Sequence, residues 1–593
     1  MKHALLWLVS LLAAPALGLA QEPPVAVTGV TVVDVTGGAE GPPATVVIRD
    51  GRIAAIGPAG EIDVPAGARV VEGAGRWLAP GLWDMHVHLS KARAPALPLL
   101  VANGVLGVRD VGGDMEELQR WRSEIRAGDR PGPRIVMAGP YLESPANVLR
   151  VLMSVTVEPE ERTRIPVADP ADARRVVDSI ARAGVDFVKV RTWPDLETFR
   201  AIADAAAANG LPLAAHTFPL APDELRAGRV ASIEHFYPPP EDWEEGERRA
   251  FWADLAARGV VMVPTIVNAH ESLFVVDTTF TKVLADSLGA LEPRRPYLSA
   301  FLLADWAEQV EERSPAAAEG WRAYSPTLLR AFREAHQAGV RLLAGSDLAV
   351  IGIYPGSSLH RDVELLADEV GLSPLEALQA ATIRPVEFLG LDDSLGTVEV
   401  GKIADLVLLE ADPLADVSNT RRIVAVIQGG RVLERADLDR LRESVLAMPE
   451  IRENDWLPAR PAPEIAAAIE LEAAIDEAGS AAEIAAALER FRSMEGADRL
   501  PGGRAALGDR VEAAVNRAGY RLLGSGRVDE AVAVLALNAE AFPASANVWD
   551  SLAEAHMTRG DRERAIQLYR RSLELDPENE NARERLVELG AVD

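Results

Sequence analysis

The sequence predicts an α/β protein: a (β/α)8 barrel of TIM type, a small β-sandwich built from both flanks of the barrel, and a C-terminal all-α domain. Three observations support this. Apolar strand-like runs alternate with amphipathic helical stretches through the middle of the chain, which is typical of a parallel barrel. β-Branched runs divided by Gly and Pro stand on both sides of it. The last part is rich in Ala, Glu and Leu. A chain of 593 residues needs several such cores.

Residues 1–20, MKHALLWLVSLLAAPALGLA, have the layout of a cleaved secretory signal: a basic start, an apolar run and small residues before Gln21. The apolar run is short for a bilayer span and contains Pro15. No second segment is long enough to span, so no stable membrane span is expected. We therefore predict an exported bacterial protein, periplasmic or secreted.

The amino-acid composition excludes some kinds of metal ligand and binding partner. The chain has no cysteine, so neither disulfides nor thiolate metal ligands are available. Its formal net charge of −29 argues against a nucleic-acid partner, which would require a basic face.

The two flanks and the middle are predicted to form two domains. Residues 21–79 and 397–436 share short β-branched runs and are assigned to the β-sandwich. Residues 80–396 are assigned to the barrel, with strand-like runs such as VLGVRDVGG, DFVKVRT and RLLAGSD. The stretch from about 270 to 330 is long for one connection and is expected to be a helical insertion near the barrel mouth.

Residues 440–593 are predicted to be helical. Within about 510–590, two segments align with a period of 34 residues and resemble tetratricopeptide repeats: Gly526/Gly560, Ala531/Ala565 and Pro543/Pro577 coincide. Two roles stay open for this domain. It either stabilises the rest of the chain as an appendage, or it binds a protein partner or a second copy of the chain.

The stretch GLWDMHVHL places His86 and His88 two residues apart in a predicted strand. Side chains alternate faces along a strand, so both imidazoles point the same way. Such a pair fits one metal ion, but it also fits two hydrogen-bonded core histidines.

Further strand ends carry residues able to bind a metal or move a proton. Each has an ordinary structural explanation on its own, such as a core histidine or a helix N-cap. In a barrel, however, active sites form where the strands end. Their coincidence predicts a metal site made of these residues: His86, His88, Lys189, His216, His235 and Asp347.

With these residues in place, the sequence resembles the metal-dependent amidohydrolase superfamily, in its imidazolonepropionase-like and prolidase-like members. The shared features are GLWDMHVHL, the strand lysine, the two later single histidines and the aspartate of AGSD. Residues 372–414 are similar to the family's exit from the barrel and return to the sandwich. The resemblance runs from about residue 26 to 435.

The resemblance implies a binuclear site. His86, His88 and Asp347 would bind the more buried divalent ion, His216 and His235 the more exposed one, and a Lys189 carbamylated by CO2 would bridge them. Imidazole and oxygen ligands favour Zn²⁺, although iron, manganese and cobalt also fit. A metal-bridging hydroxide would attack the carbonyl carbon of a C–N bond, with Asp347 as the catalytic proton carrier.

The substrate is expected to be a small amide or dipeptide. Many peptide-cleaving members of the superfamily carry a small, Gly-rich turn just after the bridging lysine, where this chain has Arg191 and Trp193. We predict that Arg191 binds a substrate carboxylate, with an outward, salt-bridged arginine as the alternative. Tyr141 and His360 are further candidates for substrate contact, with a role on the helix surface as the alternative for His360.

Two other functions stay open. One is a mononuclear deaminase or imidazolone-type hydrolase of cyclic amides, in which Lys189 stays unmodified. The other is a catalytically silent module that binds proteins through its repeats.

Overall fold

The structure is a computed structural model that describes residues 23–37, 41–154, 162–218, 220–273, 279–311, 315–452 and 463–591. The predicted signal at residues 1–20 lies outside the described residues. Among the helices that are described, none combines the length and apolar character needed to cross a bilayer.

The N-terminal flank is a run of short strands. They are β1 (Val25–Val32), β2 (Ala44–Arg49), β3 (Arg52–Pro58), β4 (Arg69–Glu72) and β5 (Trp77–Pro80).

The middle of the chain alternates strands and helices. Its strands are β6 (Leu82–Val87), β7 (Val105–Asp110), β8 (Arg134–Met137), β9 (Tyr141–Glu143), β10 (Arg164–Pro166), β11 (Val188–Val190), β12 (Leu213–Ala215), β13 (Ser232–Glu234), β14 (Val261–Val263) and β15 (Arg341–Leu342). Its helices are α1 (Leu89–Ala92), α2 (Ala96–Ala102), α3 (Met115–Ala127), α4 (Pro145–Ser154), α5 (Pro170–Ala183), α6 (Leu196–Ala208), α7 (Pro222–Ala227), α8 (Glu245–Ala257), α9 (Ile266–Asn268), α10 (Thr279–Ala285), α11 (Ala300–Glu311), α12 (Pro315–Gln337), α13 (Ser357–Leu365), α14 (Pro374–Ala380) and α15 (Ile383–Phe388).

Helix α5 illustrates why these segments are helical. Asp169 caps its start by accepting from two backbone amides, and Pro170 stands at the first helical position. Gly184 ends it in the left-handed conformation. Between these caps, one face carries buried Val176 and Ile180, which pack against the barrel.

The predicted fold class is confirmed. Parallel strands alternate with helices in TIM-barrel order, in a three-stranded sheet (β6, β7, β8) and a seven-stranded sheet that ends at β15. Backbone hydrogen bonds join the two sheets at both seams. The Asp186 amide donates to the Met137 carbonyl at 2.9 Å, and the Met85 amide donates to the Ala344 carbonyl at 2.9 Å. The strand ends are therefore brought around one mouth.

The chain then returns to the first sheet through β16 (Leu406–Leu409), β17 (Ile423–Gln428) and β18 (Arg431–Glu434). The resulting eight-stranded sheet has the order β18-β17-β16-β5-β1-β2-β3, with β4 beside β1. β1 pairs β2 and β4 near Val25 and β5 near Thr31, so it belongs to both halves of the sheet. Side chains of both flanks share one apolar core, including Val27 and Leu406.

Helices form the rest of the described chain. They are α16 (Arg435–Val445), α17 (Pro449–Arg452), α18 (Pro463–Glu477), α19 (Ala481–Ser493), α20 (Gly503–Gly524), α21 (Val528–Ala541), α22 (Ala546–Arg559), α23 (Arg562–Leu575) and α24 (Glu580–Glu588). Two apolar cores lie within them, one around α18–α20 and one around α22–α24. We call α18–α24 the helical domain.

Candidate metal centre

The structure brings the six predicted ligands to one end of the barrel. Nitrogens of His86 and His88 and an oxygen of Asp347 lie within 4.8 Å of one another. The ring centroid of His235 is 4.6 Å from that of His86 and 4.7 Å from that of His216. Burial lowers the pKa of His86 to about 3 and that of His235 to about 4, so both imidazoles are neutral and able to ligate.

A buried carboxylate orients His86. His86 Nδ1 donates to Glu234 Oε2 at 2.7 Å, which leaves Nε2 with its lone pair toward the centre. Burial alone would raise the pKa of Glu234, but Arg109 and His86 hold it well below its usual range. Arg109 Nη2 donates to both Glu234 oxygens at 2.7 and 2.8 Å, and Ser232 Oγ donates at 2.6 Å. His86 is therefore fixed in one tautomer by a charged network.

His88 is held from its other side. Its Nδ1 lies 2.9 Å from Tyr141 Oη and 3.3 Å from the Gly112 carbonyl, while its Nε2 is 3.3 Å from Asp347 Oδ1. Tyr141 thus contacts a predicted ligand directly and also lines the cavity described below.

Asp347 faces three of the histidines. Its Oδ1 is 3.5 Å from His86 Nε2, and its Oδ2 accepts from Asn268 Nδ2 at 2.7 Å. Burial alone would raise the pKa of this carboxyl. Electrostatic interactions with His86 and His235 and a hydrogen bond with His88 instead keep the pKa of Asp347 well below its usual range. Asp347 is therefore ionised at neutral pH and can accept a proton or bind a cation.

Two further buried carboxylates position the segment that carries Asp347. Asp84 on β6 accepts from the Ser346 amide at 2.8 Å and from the Ser346 hydroxyl at 2.6 Å. Asp362 accepts from the amides of Gly345 and Val267 at 3.1 and 3.0 Å. Burial raises the pKa of each carboxyl to about 7.

Lys189 stands in the middle of β11 with its side chain fully buried. Its Nζ has no hydrogen-bond partner among the described residues, although Glu234 and Asp347 act on it electrostatically. Burial lowers the pKa of this amine to about 8. Burying an amine without a hydrogen-bond partner raises the free energy of the folded protein unless another group binds to that amine.

Strand ends at the centre adopt strained backbone. His235, Thr265 and Asp347 have positive φ values of 66°, 49° and 58°. Residues other than glycine rarely adopt this region, and they do so at functional sites where the surroundings enforce it. The Thr265 hydroxyl lies 2.8 Å from His235 Nδ1 and so supports that ring.

A small cavity lined mainly by polar residues opens directly on the cluster. Its volume is about 290 Å³, and it reaches His88, Asp347 and three arginines, Arg150, Arg164 and Arg191. Arg164 and Arg191 both donate to the buried carboxylate of Glu143, at 2.7 and 3.4 Å.

A larger cavity of about 960 Å³ shares His216, His235, Asp347 and two of the arginines with the first. Its wall is mostly apolar and includes residues of the insertion, whose helices α11 and α12 line the mouth. The aromatic members of this wall are Phe218, Phe236, Trp321, Tyr324 and Phe332.

Two of the three predicted substrate-contact residues line a cavity at the centre, and the third does not. Arg191 and Tyr141 line the small cavity. His360 does not line either cavity. It is buried on α13, where Nδ1 lies 3.0 Å from Thr420 Oγ1 and Nε2 lies 3.0 Å from the Asn103 carbonyl. Both ring nitrogens are committed to core hydrogen bonds, so the expected substrate contact is corrected to a structural role.

Three residues that hold the centre in place were not predicted from the sequence: Glu234, Arg109 and Asn268. Two of them carried a readable signal, since a charged residue inside an apolar strand run, as in VLGVRDVGG and ASIEHF, is costly without a function. Asn268 is the last residue of the short helix α9 after β14, and nothing in its neighbourhood in the sequence distinguished it.

Comparison with known families gives one decisive match, because the model described as "Amidohydrolase family" matches residues 77–433. The chain belongs to the amidohydrolase family. A tetratricopeptide-repeat model matches residues 546–589, which confirms the predicted repeats.

Individual relatives of this amidohydrolase are distant. It is 26% identical to the imidazolonepropionase of Maricaulis maris, over 62% of this chain and 88% of the relative. It is 25% identical to the adenine deaminase of Rubrobacter xylanophilus, over 68% and 57%. Among solved structures, a protein assigned as a prolidase from Bifidobacterium longum is 26% identical with a TM-score of 0.56, over 72% of this chain and 99% of that one.

The His86–Glu234 pair predicts the effect of Glu234→Gln on this amidohydrolase. The amide would no longer fix the His86 tautomer, so we expect metal affinity to fall by about 10- to 100-fold. Competition with a chromophoric chelator measures this affinity. Glu245→Gln, on the exposed surface of α8, is the control and should leave affinity unchanged. Equal affinity in Glu234→Gln and wild type would contradict the orienting role.

Proposed function

We propose that this protein is a binuclear metal-dependent hydrolase that cleaves the C–N bond of a dipeptide or an N-acyl amino acid. The observation that carries the proposal is that His86, His88, His216, His235 and Asp347 meet beside two cavities, one lined by three arginines and the other by aromatic rings. The buried Lys189 is close enough to Asp347 and His86 to interact with them electrostatically. The cluster of ligands supports metal-dependent hydrolysis. The arginines and aromatic rings support a substrate with a carboxylate and a bulky apolar group.

The donor set fits two divalent cations. His86 Nε2 and Lys189 Nζ are both buried without a hydrogen-bond partner among the described residues, as groups awaiting a ligand would be. His86, His88 and Asp347 would hold one cation, His216 and His235 the other, and Lys189 would serve both. When bound, such cations polarise the substrate carbonyl and acidify water.

Lys189 can serve two cations only as an anion. Its neutral amine adds CO2 through a new N–C bond and releases one proton, which leaves a carbamate of charge −1. Because the pKa of Lys189 is about 8, a sizeable fraction of the amine is neutral near physiological pH.

Asp347 moves the proton in this proposal. Its Oδ2 is occupied by Asn268, so Oδ1, which faces His86 and His88, receives the proton of the attacking water. The same oxygen then delivers the proton to the leaving nitrogen as the C–N bond breaks.

Arg191 and the aromatic wall define the substrate. The guanidinium of Arg191 is bonded within the described chain only through a long 3.4 Å contact with Glu143, and it lines both cavities. It can therefore bind a substrate carboxylate. The larger cavity would take the bulky apolar group, in keeping with the prolidase assignment of one structural relative.

Carbamylation should depend on pH in a way that reports the buried lysine. The neutral amine increases as pH rises through about 8, so at fixed dissolved CO2 the rate of carbamylation of metal-free protein should rise from pH 6 and level off above about 8. ¹³C NMR of protein supplied with ¹³CO2 measures it. A rate still rising steeply between pH 9 and 10 would show an ordinary exposed lysine and contradict the proposal.

A second candidate is supported by the names of two relatives. Imidazolonepropionase and adenine deaminase are the activities of relatives at 26% and 25% identity. A mononuclear enzyme acting on a cyclic amide or an amidine would use His86, His88 and Asp347 and leave Lys189 unmodified. One metal ion per chain, together with turnover of cyclic substrates only, would favour it.

The decisive screen offers the metal-replete protein a library of dipeptides, N-acyl amino acids and cyclic amides, with release of amine as the readout. We expect hydrolysis of members that combine a free carboxylate with a bulky apolar group, and loss of activity with a chelator. Turnover confined to cyclic amides would transfer the assignment to the second candidate. Complete inactivity would favour a silent binding module.

We also propose export, with cleavage after Ala20, and a protein-binding or self-association role for the repeats. Edman sequencing of protein recovered from the periplasm or medium should begin at Gln21. A mature chain that retains residues 1–20 would contradict export by cleavage.

A further inference from the structure

Helix α4 joins the helical domain to the metal centre. Leu149 on α4 is completely buried and belongs to the same apolar core as α18 and α20. Leu152 and Met153 pack partly into that core as well. Asn147, Arg150 and Val151, on the same helix, line the cavities at the metal centre. One short helix therefore contacts both the helical-domain core and the substrate cavity.

The start of α4 packs closely against the residue before α20, with no space for a side chain between them. Gly502, just before α20, adopts φ +76°, and a Cβ built on it would lie 2.6 Å from Pro145 Cβ at the start of α4. The absence of a side chain at Gly502 thus lets the two helices approach closely. Through Leu149 and Gly502, the helical domain fixes where α4 sits.

The charges around α4 contribute a cationic part to the lining of the smaller cavity, which also includes Asp305 and Glu308 of α11. Glu143 accepts from Asn147, Arg164 and Arg191 and is fully buried. Arg150 stays solvent-accessible, and within the described chain its guanidinium bonds only to the Asn147 side-chain oxygen, at 2.9 and 3.2 Å. Two arginines thus bond to the Glu143 carboxylate, and Arg150 bonds to Asn147 beside it. Arg150 and Arg191 line both cavities.

We propose that Arg150 binds the substrate carboxylate together with Arg191, and that the helical domain is the element that positions it there. This deepens the proposed function, on which it rests. The helical domain is then a part of the substrate site rather than a separable appendage. An anion between the two guanidinium groups would relieve their mutual repulsion and gain charge-assisted hydrogen bonds.

The first test measures binding without turnover. Calorimetry on the metal-free full chain compares the dipeptide Leu-Phe with its C-terminal amide. Wild type should bind the acid about 10- to 100-fold more tightly, which corresponds to hydrogen bonds to a charged group. Arg150→Ala should lose most of this preference, and Arg150→Lys should restore part of it. An unchanged preference in Arg150→Ala, or none in wild type, would overturn the proposal.

The second test acts from the helical side. Leu149→Ala should reduce the preference for the acid, and adding Arg150→Ala should reduce it no further, because both changes remove the same contact. The control is Leu552→Ala, a similar truncation in the core around α22–α24, which should keep the wild-type preference. Equal losses in Leu149→Ala and Leu552→Ala, or fully additive losses in the double variant, would contradict positioning by the domain.

Hydrogen exchange separates this inference from the proposed function. Gly502→Ala should accelerate amide exchange in peptides covering residues 145–154. Gly526→Ala, at a nearly equal φ of +77° but with nothing within 4 Å of the added Cβ, should not. Accelerated exchange and acid preference without hydrolysis would refute the function and retain the inference. Hydrolysis by wild type together with unaltered amide exchange in Gly502→Ala would support the proposed function and refute the inference about the helical domain.

Discussion

Asp347→Asn is expected to lower kcat by about 10³- to 10⁴-fold. The amide cannot take a proton from water at Oδ1 or return it to the leaving nitrogen, and general acid–base catalysis contributes up to about 10⁴. The low pKa of Asp347, enforced by His86, His235 and His88, makes it a carboxylate throughout the neutral range. Steady-state kinetics at saturating metal measures the loss.

The control for this variant is Asp393→Asn, an exposed carboxylate in the turn after α15, which should keep full activity. Metal content must be measured in parallel, because Asp347 is also a predicted ligand. If Asp347→Asn retained both its metal and more than a tenth of the wild-type kcat, Asp347 would not be the proton carrier.

If Lys189 bridges two metal ions as proposed, Lys189→Ala should abolish that bridge. The loss of several kcal/mol of transition-state stabilisation corresponds to about 10³-fold in kcat. Because the deleted side chain leaves a cavity beside Glu234 and the histidines, acetate or propionate should enter and restore part of the activity. Activity is measured against acetate concentration.

Two matched variants sharpen this prediction. Lys189→Met fills the same space without a ligand, so acetate should not rescue it. Lys282→Ala removes an exposed lysine on α10 and should behave as wild type. Full activity of Lys189→Ala without any added carboxylate would mean that Lys189 carries no catalytic function and would favour the mononuclear alternative.

The strand ends explain why so much of the centre could be predicted from the sequence. The fold class follows from alternating periodicity, and parallel barrel strands deliver their last residues to one mouth. His86 and His88 share a face because of the strand period, and Lys189 is conspicuous because an apolar strand does not tolerate it cheaply. Each of these residues can be recognised from its local sequence, and the barrel fold brings them close together in space.

The residues that were missed depend on contacts between distant strands. Glu234 on β13 meets His86 on β6 and Arg109 on β7, and the strand order that places them together is not visible in any local pattern. His360 shows the opposite failure. A histidine on a helix looked accessible, but Thr420 and Asn103, far away in the sequence, bury and satisfy it.

Arg150 was beyond sequence reasoning for a third reason. Its place depends on Leu149 packing into a core built from residues more than 300 positions later in the chain. The change in amino-acid composition and periodicity along the sequence separates the helical domain from the barrel. It contains no information on which barrel helix the domain covers.

Anomalous diffraction at the zinc edge, from crystals of the zinc-loaded chain grown with bicarbonate, tests the central claim most directly. The account predicts two peaks per chain, one among His86, His88 and Asp347 and one between His216 and His235, with continuous density from Lys189 to both. A single peak, or a Lys189 side chain that touches neither ion, would contradict it.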